Sequence, residues 1–234
     1  PLPVQGLPSD IEPLVDAFNR LLSQLDGAVQ AERRFIADAA HELRTPLAAL
    51  LNHAQVALSA PTADAQRAAV LRLKAVAERS TRLSEQLLDL ARLDAWQSGE
   101  PMAAVDLSEL VMLVLHDFEA PAAHKRQQLV LDMQPCPMKG HVDGLGILIR
   151  NLIDNAVRYS PEGSRILVRC VLADDGGGPP EPSLSVADNG PGVPADERER
   201  IFDRFYRVPG NGSPGSGIGL SLVRRIADAH GARI

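Results

Sequence analysis

His41 is followed at once by Glu42 and, one helical turn later, by Thr45, within a run that ends at Pro46 and Leu47. A neutral imidazole is a nucleophile near neutral pH, and an adjacent carboxylate can orient it and take up its proton. On a helical wheel His41 points about 150° away from the mean direction of the surrounding apolar residues, so it faces outward. A lone histidine on such a face is ordinarily a solvated side chain. The company of Glu42 and Thr45 is what raises the chemical reading. Zinc ligation through His-Glu-x-x-His is excluded, because position 45 is a threonine.

Two further clusters carry polar chemistry. Asn151 and Asn155 are four residues apart, with Arg158 three further on and Tyr159 next to it, so the amides and the arginine share one helix face. Amide oxygens suit magnesium, a hard cation, and a guanidinium can hold phosphate oxygens. Taken alone, two asparagines on a helix are as readily a polar surface or a cap. Asp188, Gly190 and Gly192 follow a short alternating segment. A carboxylate there can accept from an adenine amino group, and glycines beside it let a flat ring approach the backbone. In isolation the pattern is only a turn.

The glycines Gly215, Gly217 and Gly219, leading into Leu220, open the last helix, where backbone N–H groups form an anion site. A dinucleotide-fold reading is weak, since Pro214 interrupts it and no strand precedes it. The Walker A lysine is absent. Between the glycine clusters lie Phe202 and Phe205, candidate anchors under a loop, with Arg204 and Arg207 reaching toward an anion. The alternative there is an ordinary amphipathic helix.

The elements that must position these groups divide the chain in two. From Ile11 to Leu51 apolar residues recur at helical spacing, with Ser9 or Asp10 able to cap the start. Pro46 should bend this helix rather than end it. A turn at 59–62 leads to a second helix carrying Leu73, Val76, Leu83, Leu87 and Leu90. One such hairpin cannot bury both stripes; two hairpins in a four-helix bundle can, and packing on the second domain is the other solution. The second half reads as mixed α/β. A helix from Asp106 or Ser108 to about 124, a strand at 128–132 and a helix from Asp143 to Tyr159 are expected. A strand with Ile166, Val168, Cys170 and Leu172 follows, then a loop at 174–182 and a returning strand with Leu184 and Val186. Helices should cover one face of the sheet.

Composition removes whole classes. The chain has 234 residues, 45% hydrophobic and 23% charged, which excludes wholesale disorder. A net charge of −6 and 3% aromatic residues argue against nucleic acid as a partner. Two cysteines, Cys136 and Cys170, make neither a disulfide scaffold nor a zinc site. No apolar run is long enough to cross a membrane. The chain begins at Pro1 without methionine or signal peptide, as expected of a fragment.

In their order along the chain, the His41 run, the asparagine cluster, Asp188-x-Gly190-x-Gly192, the Phe202–Phe205 segment and Gly215-x-Gly217-x-Gly219-Leu220 closely resemble the catalytic core of sensor histidine kinases of two-component systems. The resemblance spans nearly the whole chain. It implies an α plus α/β fold: a helical-hairpin dimerisation domain, a four-helix bundle as a homodimer, followed by an α/β-sandwich ATP-binding domain shared with gyrase-type ATPases and Hsp90. It places the end of a HAMP-like signalling helix at 1–22, the dimerisation and phosphotransfer domain at 23–97, a linker at 98–104 and the ATP-binding domain at 105–234, its C-terminal end truncated.

Residue by residue, the resemblance implies that His41 is the phosphoacceptor, Glu42 its acid/base partner and Thr45 the residue that positions a water for dephosphorylation. It implies that Asn155 holds Mg2+, with Asn151, Arg158, Tyr159 and Arg204 in contact with ATP. Asp188 reads adenine, Gly190 and Gly192 shape its pocket, and Gly215, Gly217, Gly219 and Leu220 form the phosphate side, with 208–216 as a lid. Arg158 stands where many relatives have lysine, which keeps the charge and changes the geometry. The implied activity is autophosphorylation of His41 and transfer to an aspartate of a response regulator, with phosphatase activity on it. The implied location is the cytoplasmic side of an inner membrane, anchored by a region outside this chain. A catalytically dead dimerisation scaffold and a gyrase-like ATPase are the rival readings.

Overall fold

A computed structural model describes residues 12–96, 101–174, 179–209 and 215–234. The expected HAMP-like end and the Ser9/Asp10 cap lie mostly outside them. The chain divides into two compact units between Arg82 and Leu83.

The first unit is helical. α1 (Glu12–Leu58) runs without interruption through Pro46. At its end the Ser59 hydroxyl donates to Gln55 O (2.9 Å). α2 (Ala63–Trp96) starts where the Thr62 hydroxyl accepts from Ala65 N at 3.2 Å, an N-cap that satisfies one orphan donor. Ala69 and Val76 of α2 are buried, as the helical spacing requires. His41 and Thr45 are exposed on α1 and Glu42 is half-buried.

The second unit takes in the last turns of α2 and the α/β part. Strand β1 (Ala103–Asp106) pairs antiparallel with β3 (Pro137–Gly140). It begins within the stretch expected as a linker, of which 98–100 lie outside the described residues. Four-residue strands of Ala-Ala-Val-Asp and Pro-Met-Lys-Gly carry no alternation, and pairing across 30 residues is a tertiary event. β2 (Gln128–Met133) runs parallel to β4 (Arg165–Ala173), and β5 (Glu181–Ala187) returns antiparallel beside β4. β5 therefore begins at Glu181, inside the span expected as loop. The long hydrogen-bonded register with β4 carries the strand through Pro182.

α3 (Leu107–His124) and α4 (Val142–Tyr159) cover one face of this sheet. Val111, Ile149, Ile153, Ile166 and Val168 are fully buried among them. Alternation along β4 explains the choice of face, since Arg169 on the opposite side is exposed. Asp106 caps α3, accepting at Oδ1 from Ser108 N (2.9 Å), Ser108 Oγ (2.7 Å) and Cys136 N (3.1 Å). These bonds, the Ser108 hydroxyl first, hold its carboxyl below the usual aspartate range. Cys136 and Cys170 are buried free thiols. Burial, then the hydrogen bond between them, pushes Cys170 up to about 12.

α5 (Gly219–Ala229) closes the unit against α4. His230 Nε2 accepts from His141 N (3.0 Å), while its Nδ1 lies 2.7 Å from Ile226 O. With Nε2 as acceptor, Nδ1 must carry the proton. This imidazole ties the end of α5 to the start of α4. No described helix is long and apolar enough to cross a membrane.

Candidate functional site

α4 is the floor of the site. Asn155, Arg158 and Tyr159 line a cavity of about 280 Å³ in the second unit. The C-terminal turn that presents them is held by the α3–β2 connection. Lys125 Nζ donates to Val157 O (2.8 Å) and Arg158 O (2.9 Å). Gln127 Nε2 donates to Val157 O and Ser160 O, both at 3.1 Å. Carbonyls at a helix end lack intrahelical partners, and a cation there also meets the negative end of the helix dipole. Arg158 pairs with Asp154 one turn back.

Asp188, just past β5, and Gly192 form another wall of the cavity. Asp188 Oδ1 accepts from Gly190 N at 2.6 Å. A Cβ on Gly190 would stand 2.7 Å from that same oxygen and 3.2 Å from Tyr159 O, so only glycine lets the turn fold under the carboxylate. Gly190 itself shapes Asp188 rather than lining the cavity.

The glycine loop forms the far end. Gly215, Gly217, Gly219 and Leu220 line it. Gly217 has φ +70°, and a Cβ there would lie 2.5 Å from the Phe205 carbonyl carbon. Its own carbonyl accepts from Phe205 N (2.9 Å). Ile218, the N-cap of α5, makes no side-chain cap, so the first N–H groups of α5 are left for water or an anion.

Residues 195–207 hold two single turns of 3-10 helix, Ala195–Glu197 and Arg200–Phe202, so the alternative of an ordinary amphipathic helix does not form there. Arg204 is exposed and does not line the cavity; Tyr206 and Arg207 do. Between them Phe205 takes a left-handed backbone, φ 63°. Asn151 is buried beneath the cavity instead of lining it, and its Nδ2 donates to Ile147 O (2.8 Å). Tyr206 donates its hydroxyl to the Glu197 carboxylate under the Arg200 guanidinium, 4.2 Å from its ring centre. The Glu197 bond and then burial raise the phenol above its usual value.

Gln86, Lys125 and Gln127 carry no sequence signal of function. Each acts through a contact with a residue more than 29 positions away. His41, Glu42 and Thr45 belong to the other unit. There they lie on one continuous helix upstream of Pro46, His41 and Thr45 exposed and Glu42 half-buried. Among the described residues no cluster of His, Cys, Asp and Glu could hold a metal on its own. A divalent cation here would need an amide such as Asn155 together with ligand oxygens, which is how magnesium is commonly held.

Comparison with known proteins agrees in both units. Residues 31–96 match the His Kinase A (phospho-acceptor) domain, and residues 140–234 match the histidine kinase-, DNA gyrase B- and HSP90-like ATPase domain. The chain is similar to the sensor protein QseC of Salmonella typhi, 42% identical over 237 residues, covering 100% of this chain and 51% of that protein. The solved histidine kinase AdeS of Acinetobacter baumannii shares the fold, with a TM-score of 0.59 and 23% identity over 81% of this chain and 86% of that one. Full-length ShkA in complex with AMPPNP has a TM-score of 0.54 and 27% identity, covering 85% of this chain and 41% of that one. The chain spans about half the length of the curated relatives it matches.

Proposed function

The chain belongs to the sensor histidine kinases of two-component systems, and we propose that ATP bound in the cavity of the second unit phosphorylates His41, which then passes the phosphoryl group to an aspartate of a response regulator. The observation that carries the reading is the glycine-framed cavity with Asp188 on one wall, Asn155 on the floor and the uncapped start of α5 at the far end. ShkA, similar in fold, is described in complex with the ATP analogue AMPPNP.

Each residue has a task that its surroundings favour. Asp188 keeps Oδ2 for an adenine amino donor while Oδ1 is taken by Gly190. Arg158 and the first N–H groups of α5 meet the phosphates. Asn155 is the amide that would hold Mg2+, which supplies charge neutralisation on the phosphates when bound. His41 is exposed on α1 and free to be approached. Its imidazole nitrogen forms a bond to the γ-phosphorus as the bond from that phosphorus to the bridging oxygen of ADP breaks, and Glu42 takes up the imidazole proton. A carboxylate oxygen of the regulator then attacks the phosphorus, and the P–N bond breaks with the imidazole leaving. The two reacting groups belong to different units, so the reaction depends on the cavity of one being presented to His41 of the other.

The full protein is proposed to be a homodimer anchored at a membrane by a region outside this chain. Incubation with γ-labelled ATP and magnesium tests the reaction. Acid-labile, base-stable label on the protein, lost in His41→Gln and in Asn155→Ala, is the expected result. Free phosphate alone would indicate a gyrase-like ATPase, and neither product a dead scaffold. Label retained by His41→Gln would place the nucleophile elsewhere.

A further inference from the structure

Gln86 lies on α2, within the stretch that matches the phospho-acceptor domain, yet its amide ends in the nucleotide cavity. Both ends of that amide are in use. Oε1 accepts from Ser216 Oγ at 2.6 Å, and Nε2 donates to Asn151 Oδ1 at 3.3 Å. Ser216 Oγ in turn accepts from the N–H of Ile218 (3.2 Å), the N-cap of α5. Asn151 Oδ1 sits where a Cβ on Gly219 would come within 2.6 Å of it. A single helical side chain thus joins the last turns of α2 to the floor, the glycine loop and the start of α5.

That junction competes with phosphate. A serine hydroxyl has one proton, so Ser216 cannot donate to Gln86 and to a phosphate oxygen at once. An anionic oxygen is the stronger acceptor. Phosphates at the start of α5 therefore draw Ser216 away and leave Gln86 with one partner of its two.

We propose that Gln86 is a nucleotide-sensitive latch, holding the end of α2 against the phosphate side of the ATP cavity until the phosphates of ATP take Ser216 from it. The proposal rests on the cavity being an ATP site. Coupling of this kind is reciprocal: if phosphate binding loosens α2, the latch must weaken phosphate binding by the same factor. A latch differs from a residue that merely positions the site, because its removal tightens binding.

The test measures binding of AMPPNP and of adenosine to the full 234-residue chain, to Gln86→Ala and to Gln86→Glu. Losing one or two neutral hydrogen bonds from the competing state should tighten AMPPNP binding about 5-fold in Gln86→Ala. Adenosine, which lacks phosphates, should bind unchanged. Gln86→Glu accepts more strongly from Ser216 and repels phosphate, so it should weaken AMPPNP and again spare adenosine. Backbone hydrogen exchange over residues 84–93 should quicken when AMPPNP binds the parent chain and be quick already in Gln86→Ala. Weaker or unchanged AMPPNP binding in a folded Gln86→Ala protein overturns the latch, as does exchange that does not respond. If Gln86→Ala does not fold, Gln86→Glu decides: AMPPNP bound as tightly as by the parent chain, or a loss shared equally by adenosine, overturns the latch. A parent chain that binds neither compound sinks the ATP reading itself, and the latch with it.

Discussion

If the protein also removes phosphate from its regulator, as the family resemblance implies, Thr45 is the side chain at which the two chemistries should separate. It lies four residues after His41, about 6 Å along the same exposed face. α1 continues through Pro46 to Leu58, so Thr45 is a mid-helix residue and not a terminal cap. Its hydroxyl can hold a water beside His41 without reaching the nucleotide cavity, which belongs to the other unit. In the proposed reaction, phosphorylation of His41 needs the imidazole, Glu42 and bound ATP. Removal of phosphate from a regulator's aspartate needs an aligned water. Thr45→Ala should therefore leave most autophosphorylation intact and slow dephosphorylation of the regulator by about 10–100-fold, the scale of losing a positioning contact. Both rates measured on one preparation decide it. Equal losses would make Thr45 a structural residue of the helix.

At the scale of elements, the end of α4 links packing to the site. Lys125 reaches three carbonyls there, of Val157, Arg158 and Ser160. Those carbonyls end the turn that carries Arg158 and Tyr159 into the cavity. Lys125→Met keeps the aliphatic stem and removes the ammonium. It should lower stability by about 2 kcal/mol, the range for hydrogen bonds to a charged donor, and weaken AMPPNP binding in the same variant. Denaturant unfolding and a binding isotherm give the two readings; unchanged affinity with lowered stability would uncouple the cap from the site.

The same element shows what can be read from residues alone. α4 is legible because Asn151, Asn155 and Arg158 fall on one face and apolar residues on the other. α3 is legible from Asp106, whose side chain caps it. β4 is legible from alternation, with Ile166, Val168 and Cys170 buried. The β1–β3 pair is not, because neither strand is long enough to show a period. Lys125 and Gln86 are equally hidden: one is an ordinary lysine after a helix and the other an ordinary glutamine on one, until the fold brings distant partners to them. Arg204 and Arg207 look interchangeable in sequence, and only the fold shows that Arg207, and not Arg204, lines the cavity.

At the scale of the whole molecule, the helical unit has more apolar surface than one chain can cover. On α1, Leu14, Leu21 and Leu25 are 70%, 63% and 60% exposed, and Leu47 and Leu51 are 55% and 74% exposed. At 100° per residue these positions fall on one side, so the exposure is a continuous stripe and not a scatter of single residues. Stripes of this size mark an association surface. A second copy of the same hairpin supplies a matching stripe, and a two-fold axis lets each stripe meet its own counterpart. His41 and Thr45 point away from that stripe, so a dimer formed along it would leave them exposed. The intact chain should therefore sediment as a dimer at micromolar concentration. Leu21→Arg combined with Leu25→Arg should yield a monomer that keeps its helical content, because these side chains are already exposed in the single chain and their replacement opens no internal core. It should also keep AMPPNP affinity, since the described residues that line the cavity belong to the second unit. Analytical ultracentrifugation of the parent and the double variant, with circular dichroism as the folding control, tests this. A parent chain that is monomeric and well folded at those concentrations would refute the seam, and a double variant that stays dimeric would move it to another face.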